Sequence, residues 1–370
     1  SSENQSTTAV STVVVQTFPS MAHVWNQFSG LTMHHSNRDS NFIAPLHGLR
    51  AIAVLYVVFS HIGNAGIKLL PVSHNAIGKI GVWIFFSLSA YLLTKKLRNE
   101  WTKNPRILVF VNYLINRFFR IFPLFLVVLL LHVMFNEMSA QSFVRHFFLV
   151  EGRDELWAIS TEFQFYIILP FLAMLSIRAA NIILPVALTL CLIYGVDEPY
   201  RVFSNELSIL PKATPFILAA WLAINRPHLP HSNLLGVASI VLLLACTVYY
   251  RKLHVSPLAL TWPTPWLSLA ISFSVTCLIA SLTQPGKIAS ALSARPLVWV
   301  GEVSFSIYLL HMFFIRLAEV MLPENLRGWT ILVATLCGAF ISYRFIEAPG
   351  IKLGKFFAAR LMPLPQQSHR

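Results

Sequence analysis

The sequence predicts an all-α fold, a polytopic bundle of about ten transmembrane helices with both termini in the cytoplasm. The 370 residues are 56% hydrophobic and only 12% charged, whereas soluble domains are about 45–50% apolar and about 25% charged. Apolar runs of about 17–22 residues recur from Phe42 onward, and each is long enough for a helix to cross a hydrocarbon core of about 30 Å. Lys and Arg concentrate in alternate loops, as they do on the cytoplasmic side of membrane proteins.

The apolar runs divide the chain into three parts. Residues 1–41 are rich in Ser, Thr, Asn and Gln and are expected to form a disordered N-terminal tail. Residues 42–350 are expected to form the membrane domain, and residues 351–370 a basic cytoplasmic tail. The predicted spans are, in order, 44–63, 77–94, 118–135, 157–176, 180–196, 210–224, 234–250, 265–282, 297–321 and 328–346. The sixth is short because Pro211 and Pro215 stand at its beginning.

Charge in two neighbouring loops fixes the predicted orientation. The loop after the second span carries six Lys and Arg residues against the single acid Glu100, so it is expected to be cytoplasmic. The loop after the third span carries four acids against two arginines and is therefore expected to be external. The net charge of +13 is thus explained by membrane topology, with membrane lipids as partners and no nucleic acid.

Ionisable side chains inside the spans are candidate functional groups, because each costs roughly 2.5–3.5 kcal/mol to insert. They are Arg50, His61, Lys79, Arg120, Glu162, Glu302, His311, Arg316, Glu319, Arg344 and Glu347. Arg50 and His61 lie eleven residues apart on the first span, about 16 Å along one helix face. This face therefore joins a cation near the cytoplasm to a titratable group deeper in the membrane. Snorkelling of Arg50 and helix capping by His61 are the alternative interpretation.

Further polar residues each allow a functional and a structural interpretation. Arg117 and Arg120 are expected at the cytoplasmic mouth of the third span, where they could bind phosphates or act only as a basic flank. Glu162 is expected in the outer half of the fourth span, where it needs a partner or a cavity unless it caps the helix. A lone His311 is most typical of a hydrogen-bond partner between helices. Arg344 and Glu347, three residues apart, are expected to form an intrahelical ion pair.

No zinc or metalloprotease motif supports a metal site. The four cysteines show no CxxC spacing, the sequence has no HExxH, and His228 and His231 flank a Leu-Pro loop. We therefore expect no metal.

Six segments, in order, resemble the family 3 membrane acyltransferases, bacterial integral-membrane enzymes that O-acetylate cell-surface sugars and related acceptors. The segments run from His47 to His61, then over 81–92, 117–123, 157–166, 304–311 and 344–349. The chain departs from the family pattern at His47, where an Asp is usual, near Trp83, where an acidic residue is usual, and at Ala90, where a Gly is usual. Because two carboxylates of the family pattern are missing, the choice of acceptor or the pKa values of neighbouring groups are expected to differ.

The resemblance implies transfer of an acyl group, usually acetyl, from cytosolic acyl-CoA to an acceptor hydroxyl reached from the far side of a bacterial inner membrane. It implies that His61 is catalytic, as a general base or a transient acyl carrier, with Glu162 orienting or paired near the acceptor. The predicted site comprises catalytic His61 and Glu162, donor-binding Arg50, Arg117 and Arg120, and substrate-binding Trp157, Tyr166 and His311.

Two other functions fit the same residues. A small-molecule O-acyltransferase, for example one acting on macrolides, would keep the chemistry and change the acceptor. A transporter or flippase would use the buried charges as a substrate pathway, although the sequence shows no inverted repeat of the kind common in transporters.

Overall fold

The computed structural model describes residues 43–67, 77–135, 137–152, 154–197, 209–227, 232–255 and 263–361. Within these ranges the chain forms helices and connecting turns and contains no strand. The predicted tail at 1–41, the loop histidines His228 and His231, and residues 362–370 lie outside the described residues.

Most of the described chain is built from α-helices of 6 to 29 residues. In chain order these are α1 Ala44–Asn64, α2 Gly78–Trp101, α3 Arg106–Met134, α4 Ala140–Phe147, α5 Trp157–Ala173, α6 Ile177–Asp197, α7 Thr214–Asn225, α8 Ser232–Val255, α9 Pro265–Leu282, α10 Lys287–Leu292, α11 Arg295–Glu302, α12 Ser304–Met321, α13 Glu324–Ser342 and α14 Ala348–Leu361. Short 3-10 turns occupy Asp154–Leu156 and Leu210–Lys212, and a π-helical turn at Tyr343–Glu347 joins α13 to α14.

Eight helical segments of the described chain are long and apolar enough to cross a membrane, judged by length and composition alone. The apolar helices α5 and α7 are shorter, at 17 and 12 residues. Each of the ten predicted spans overlaps one of these apolar segments, and α9 has the bounds that were predicted for the eighth span. Part of the predicted C-terminal tail is helical, because α14 continues to Leu361.

Two predicted spans have the wrong bounds. The third was expected to begin at residue 118, but α3 begins at Arg106, because the apolar residues 107–111 extend the helix and α14 packs beside Asn116 and Phe119. The ninth was expected to be one helix, but the chain turns at Val303, between α11 and α12. This turn lets α11 pack closely on α1, with Gly301 against the backbone of His47.

The helices α1, α2 and α9 form the interior of the bundle. Buried residues make up 61%, 72% and 72% of their apolar stretches, against only 17% and 22% for α6 and α8. The exposed residues of α6 and α8 are mainly Ile, Leu and Val, a composition suited to contact with lipid tails. Helix α2 packs against α1, α5, α7 and α9, while α12 packs against α1. Arg50 and His61 therefore project from a helix in the centre of the bundle.

The close approach of α11 to α1 requires a glycine at position 301. A Cβ built there would lie 1.9 Å from the backbone oxygen of His47. We expect Gly301→Ala to lower the melting temperature of the purified protein, since forced overpacking costs about 1–3 kcal/mol. Gly338→Ala is the matched control, because its Cβ would meet only the ring end of Phe314, which can swing aside. Equal melting temperatures for the two variants would contradict this account.

Candidate active site

Two histidines from α1 and α12 make a direct contact in the predicted outer half of the bundle. His61 Nδ1 lies 2.7 Å from His311 Nε2, and the two rings stack with their centroids 4.8 Å apart. His311 is fully buried and His61 is half-buried. The residues are 250 positions apart in sequence, so the contact depends on the packing of α12 against α1.

The backbone carbonyl of Tyr308 determines which ring nitrogens carry hydrogen when both rings are neutral. A carbonyl oxygen only accepts, so His311 Nδ1, at 2.6 Å from the Tyr308 oxygen, is the donor. His311 Nε2 is then the acceptor, and His61 Nδ1 donates to it. His61 Nε2 keeps its lone pair and is able to accept a proton from a substrate hydroxyl.

A cavity of about 40 Å³ lies between α1, α2, α5 and α12. Arg50 and Glu162 both line it, together with Ser89, Ser304 and Tyr308. The sequence separates Arg50, near one end of α1, from Glu162, near the opposite end of the bundle. Both residues nevertheless line this one cavity.

Glu162 is held in place by two hydroxyl groups. Its Oε1 atom accepts hydrogen bonds from Ser89 Oγ and Tyr166 OH, each at 2.5 Å. Ser89 lines the cavity that Glu162 shares with Arg50, and Tyr166 lies one turn further along α5. The role predicted for Glu162, orienting or paired near the acceptor, stays a prediction.

Arg117 and Arg120 lie about three and four turns inside α3, because the helix begins at Arg106. The Arg117 guanidinium carbon is 5.9 Å from the centre of the Tyr166 ring, a cation–π distance. Arg120 Nη2 lies 3.9 Å from Glu347 Oε1. Both arginines therefore extend the polar cluster around Glu162 towards α14.

The predicted ion pair between Arg344 and Glu347 is wrong. Glu347 is buried and accepts a hydrogen bond of 2.9 Å from Ser306 Oγ, in addition to its contact with Arg120. Arg344 lies on the exposed side of the same turn. The turn is a π-helix with one residue more per turn than an α-helix, so residues three apart do not share a face.

Two of the three arginines have unused hydrogen-bond donors. The Nε atoms of Arg50 and Arg117 are buried and make no hydrogen bond to the described part of the chain. Buried N–H groups of guanidinium suit phosphate and carboxylate oxygens, so the donor set fits an anionic ligand. Among the described residues, no group of three or more His, Cys, Asp or Glu side chains is placed to hold a metal ion.

A charged network lies at the predicted outer end of the bundle, between α3 and α12. Glu137 Oε2 is 2.6 Å from His132 Nδ1 and also pairs with Arg316. His132 Nε2 is 3.3 Å from Glu155 Oε1, and the Glu155 backbone oxygen accepts a 2.7 Å hydrogen bond from Tyr308 OH. Tyr308 therefore connects this network to the pair of histidines.

Glu155 makes the stability of this network dependent on pH. Burial alone would raise the pKa of its carboxyl, but the hydrogen bond to His132, the nearby His311 and a backbone hydrogen bond together hold the pKa below the usual value. Folding then favours the ionised form, so its stabilising effect is complete above the unfolded pKa of about 4.3 and is lost as the pH falls through the lowered folded pKa. We expect Glu155→Gln to lower the melting temperature at pH 7, with the difference from wild type shrinking at acidic pH. A difference independent of pH would contradict the charge-based explanation.

The three residues predicted to bind substrate occupy three different surroundings. Trp157 packs against Phe86 and under the buried ammonium of Lys212, which is 5.0 Å from its ring centre. Tyr166 donates to Glu162, and His311 contacts His61.

Several residues of the site carried no assigned role in the sequence analysis. Tyr308 precedes His311 by three residues, so their shared helix face was a usable signal. Ser89 and Glu155 showed no such local signal, because Ser89 contacts a residue 73 positions away and Glu155 contacts one 153 positions away.

The chain matches a family model and several known proteins. A family model described as an acyltransferase domain matches residues 43–344. A peptidoglycan O-acetyltransferase of Listeria monocytogenes is 26% identical over 369 residues, which cover 85% of this chain. An O-acetyltransferase of Staphylococcus aureus is 24% identical over 369 residues, which cover 86% of this chain.

These relatives are longer than the present chain. The aligned region spans 56% of the Listeria protein and 58% of the Staphylococcus protein. No solved structure matches the chain.

Proposed function

We propose, from the premise that the chain belongs to the family 3 acyltransferases, that it is a multi-pass membrane O-acetyltransferase acting on a hydroxyl of cell-wall glycan. The names of its relatives support this acceptor class. The observation that carries the proposal is the chain of hydrogen bonds from the Tyr308 carbonyl through His311 to His61, which leaves His61 Nε2 as a base.

The donor in this proposal is cytosolic acetyl-CoA, taken from the inner side of the cytoplasmic membrane. Arg50, Arg117 and Arg120 would hold its phosphates. The support is the three guanidinium groups on one side of the bundle, two of them with unused Nε–H donors. The carboxylates of Glu162 and Glu347 keep this cluster of positive charge in place while the ligand is absent.

The proposed reaction uses His61 as general base. The acceptor oxygen attacks the thioester carbonyl carbon while its proton passes to His61 Nε2. The carbon–sulfur bond breaks, and the proton is then returned to the thiolate, so the products are the acetylated hydroxyl and free coenzyme A. His311 holds the correct tautomer of His61 but exchanges no proton with the substrate.

Acetyl transfer in inverted membrane vesicles tests the proposal. The vesicles would enclose a muropeptide fraction in their lumen, which corresponds to the external face, and would receive radiolabelled acetyl-CoA from outside. Extracted glycan would then be analysed for base-labile label. We expect labelled glycan with wild type and none with empty vesicles. Label in a small molecule instead of glycan would favour the small-molecule acyltransferase, and substrate flux without consumption of acetyl-CoA would favour a transporter. Reactions without acceptor, denatured rapidly at neutral pH because acid hydrolyses an acyl-imidazole, would reveal label on His61 if this residue were a covalent carrier.

A further inference from the structure

A second cavity, of about 250 Å³, opens at the predicted outer end of the bundle. Its wall is formed by the ends of α3 and α12, the turn before α4, and one face of α4. The polar residues that line it are His132, Glu137, Ser139, Ser142, His146 and Arg316. The cavity is separate from the smaller one that holds Arg50 and Glu162.

The lining combines hydroxyl, imidazole, carboxylate and guanidinium groups. These groups offer both hydrogen-bond donors and acceptors, and only Met138 and Leu156 add apolar surface to the described wall. Such a mixture matches a ring that carries several hydroxyls, each able to donate and accept. The volume lies just below the range of about 300–1,000 Å³ that is usual for ligand pockets, so it suits a small ring rather than a whole coenzyme.

Helix α4 separates the cavity from the surroundings of the protein. Ser142 and His146 are four residues apart and face the cavity, and Ser142 Oγ lies 3.3 Å from His146 Nδ1. Val144 and Phe148 are exposed on the other side. The side chains of α4 that face the cavity are therefore both polar, while apolar Val144 and Phe148 face away from it.

A continuous series of contacts leads from this cavity to the proposed base. His132 in the cavity wall contacts Glu155, whose backbone oxygen accepts from Tyr308 OH. The Tyr308 carbonyl in turn accepts from His311, which holds His61. A ring bound in the cavity would thus lie against the network that orients His61.

We propose that this cavity is the acceptor subsite and that it binds one sugar ring of the glycan. The inference rests on the proposed function, because it assigns an acceptor to the same reaction. His132, Glu137 and Arg316 would pair with ring hydroxyls, while Ser139 and Ser142 complete the rim.

Filling the cavity from α4 tests the proposal. Ser142→Phe places a ring into the space, while the backbone oxygen of Ser142 can still accept the 2.9 Å hydrogen bond from His146. Gln141→Phe is the matched control, because Gln141 is exposed, immediately precedes Ser142 and does not line the cavity. We expect Ser142→Phe to raise the KM for a muropeptide acceptor at least about tenfold and to leave the KM for acetyl-CoA unchanged. Gln141→Phe should change neither constant.

A binding measurement without donor separates this inference from the proposed function. Saturation-transfer NMR would record contact of the disaccharide N-acetylglucosaminyl-N-acetylmuramic acid with the detergent-purified protein. We expect a signal with wild type and Gln141→Phe and a lost signal with Ser142→Phe and Glu137→Gln. An acceptor KM within twofold of wild type in Ser142→Phe would overturn the subsite but leave the proposed function intact. Absence of acetyl transfer by wild type, with disaccharide binding retained, would overturn the proposed function alone.

Discussion

Replacement of His61 by alanine is expected to lower the rate of acetyl transfer by a factor of about 10²–10⁴, the usual contribution of a positioned general base. The substitution removes the only nitrogen of the His61–His311 pair that keeps a free lone pair when both rings are neutral. The measurement is the initial rate of transfer from radiolabelled acetyl-CoA in vesicles with equal amounts of inserted protein.

A glutamine at the same position separates catalysis from packing. The amide N–H of His61→Gln can still donate to His311 Nε2, but the side chain has no basic nitrogen. We therefore expect this variant to keep the melting temperature of wild type and to lose transfer as fully as the alanine variant. His311→Ala should cause a smaller loss, because it removes only the partner that fixes the tautomer of His61. Normal transfer by His61→Gln would exclude His61 as the base.

The membrane-helix pattern could be predicted well from the sequence, but its interruptions could not. Hydropathy gives the bounds of α9 correctly, since Thr264 caps the helix directly before Pro265. It does not reveal the turn at Val303, because the average over a span-length window stays apolar although Glu302 and Ser304 flank this residue. The reason for the turn is tertiary: Gly301 allows α11 to approach the backbone at His47.

The site shows the same division between local and long-range information. Helical spacing correctly places Arg50 and His61 on one central helix, and the cost of buried charge selects Glu162 and Glu347 as residues that need partners. The partners themselves lie far away in sequence, as Ser89 does for Glu162 and Ser306 for Glu347. The π-helical turn directs Glu347 towards Arg120, and its local sequence gives no warning of the extra residue per turn.

Replacement of Arg50 by alanine is expected to have the second largest effect, on use of the donor. In the proposed complex Arg50 makes charge-assisted hydrogen bonds to phosphate, each with a contribution of about 1.5–3 kcal/mol. Its loss also leaves Glu162 facing the cavity without the nearby cation. We expect kcat/KM for acetyl-CoA to fall by about 10², with the KM of the muropeptide acceptor unchanged. Steady-state kinetics with each substrate varied in turn would measure both constants.

Arg344→Ala is the matched control for this experiment, because it removes the same charge from an exposed position of the bundle. It should leave kcat/KM for acetyl-CoA at the wild-type value. Arg50→Lys should recover little of the lost kcat/KM for acetyl-CoA. An ammonium group lacks the planar guanidinium geometry that binds two phosphate oxygens at once. If Arg50→Ala and Arg344→Ala behaved alike, Arg50 would contribute only general positive charge. A fall in kcat/KM confined to Arg50→Ala, at an unchanged melting temperature, would instead support a specific anion contact in the cavity that Arg50 shares with Glu162.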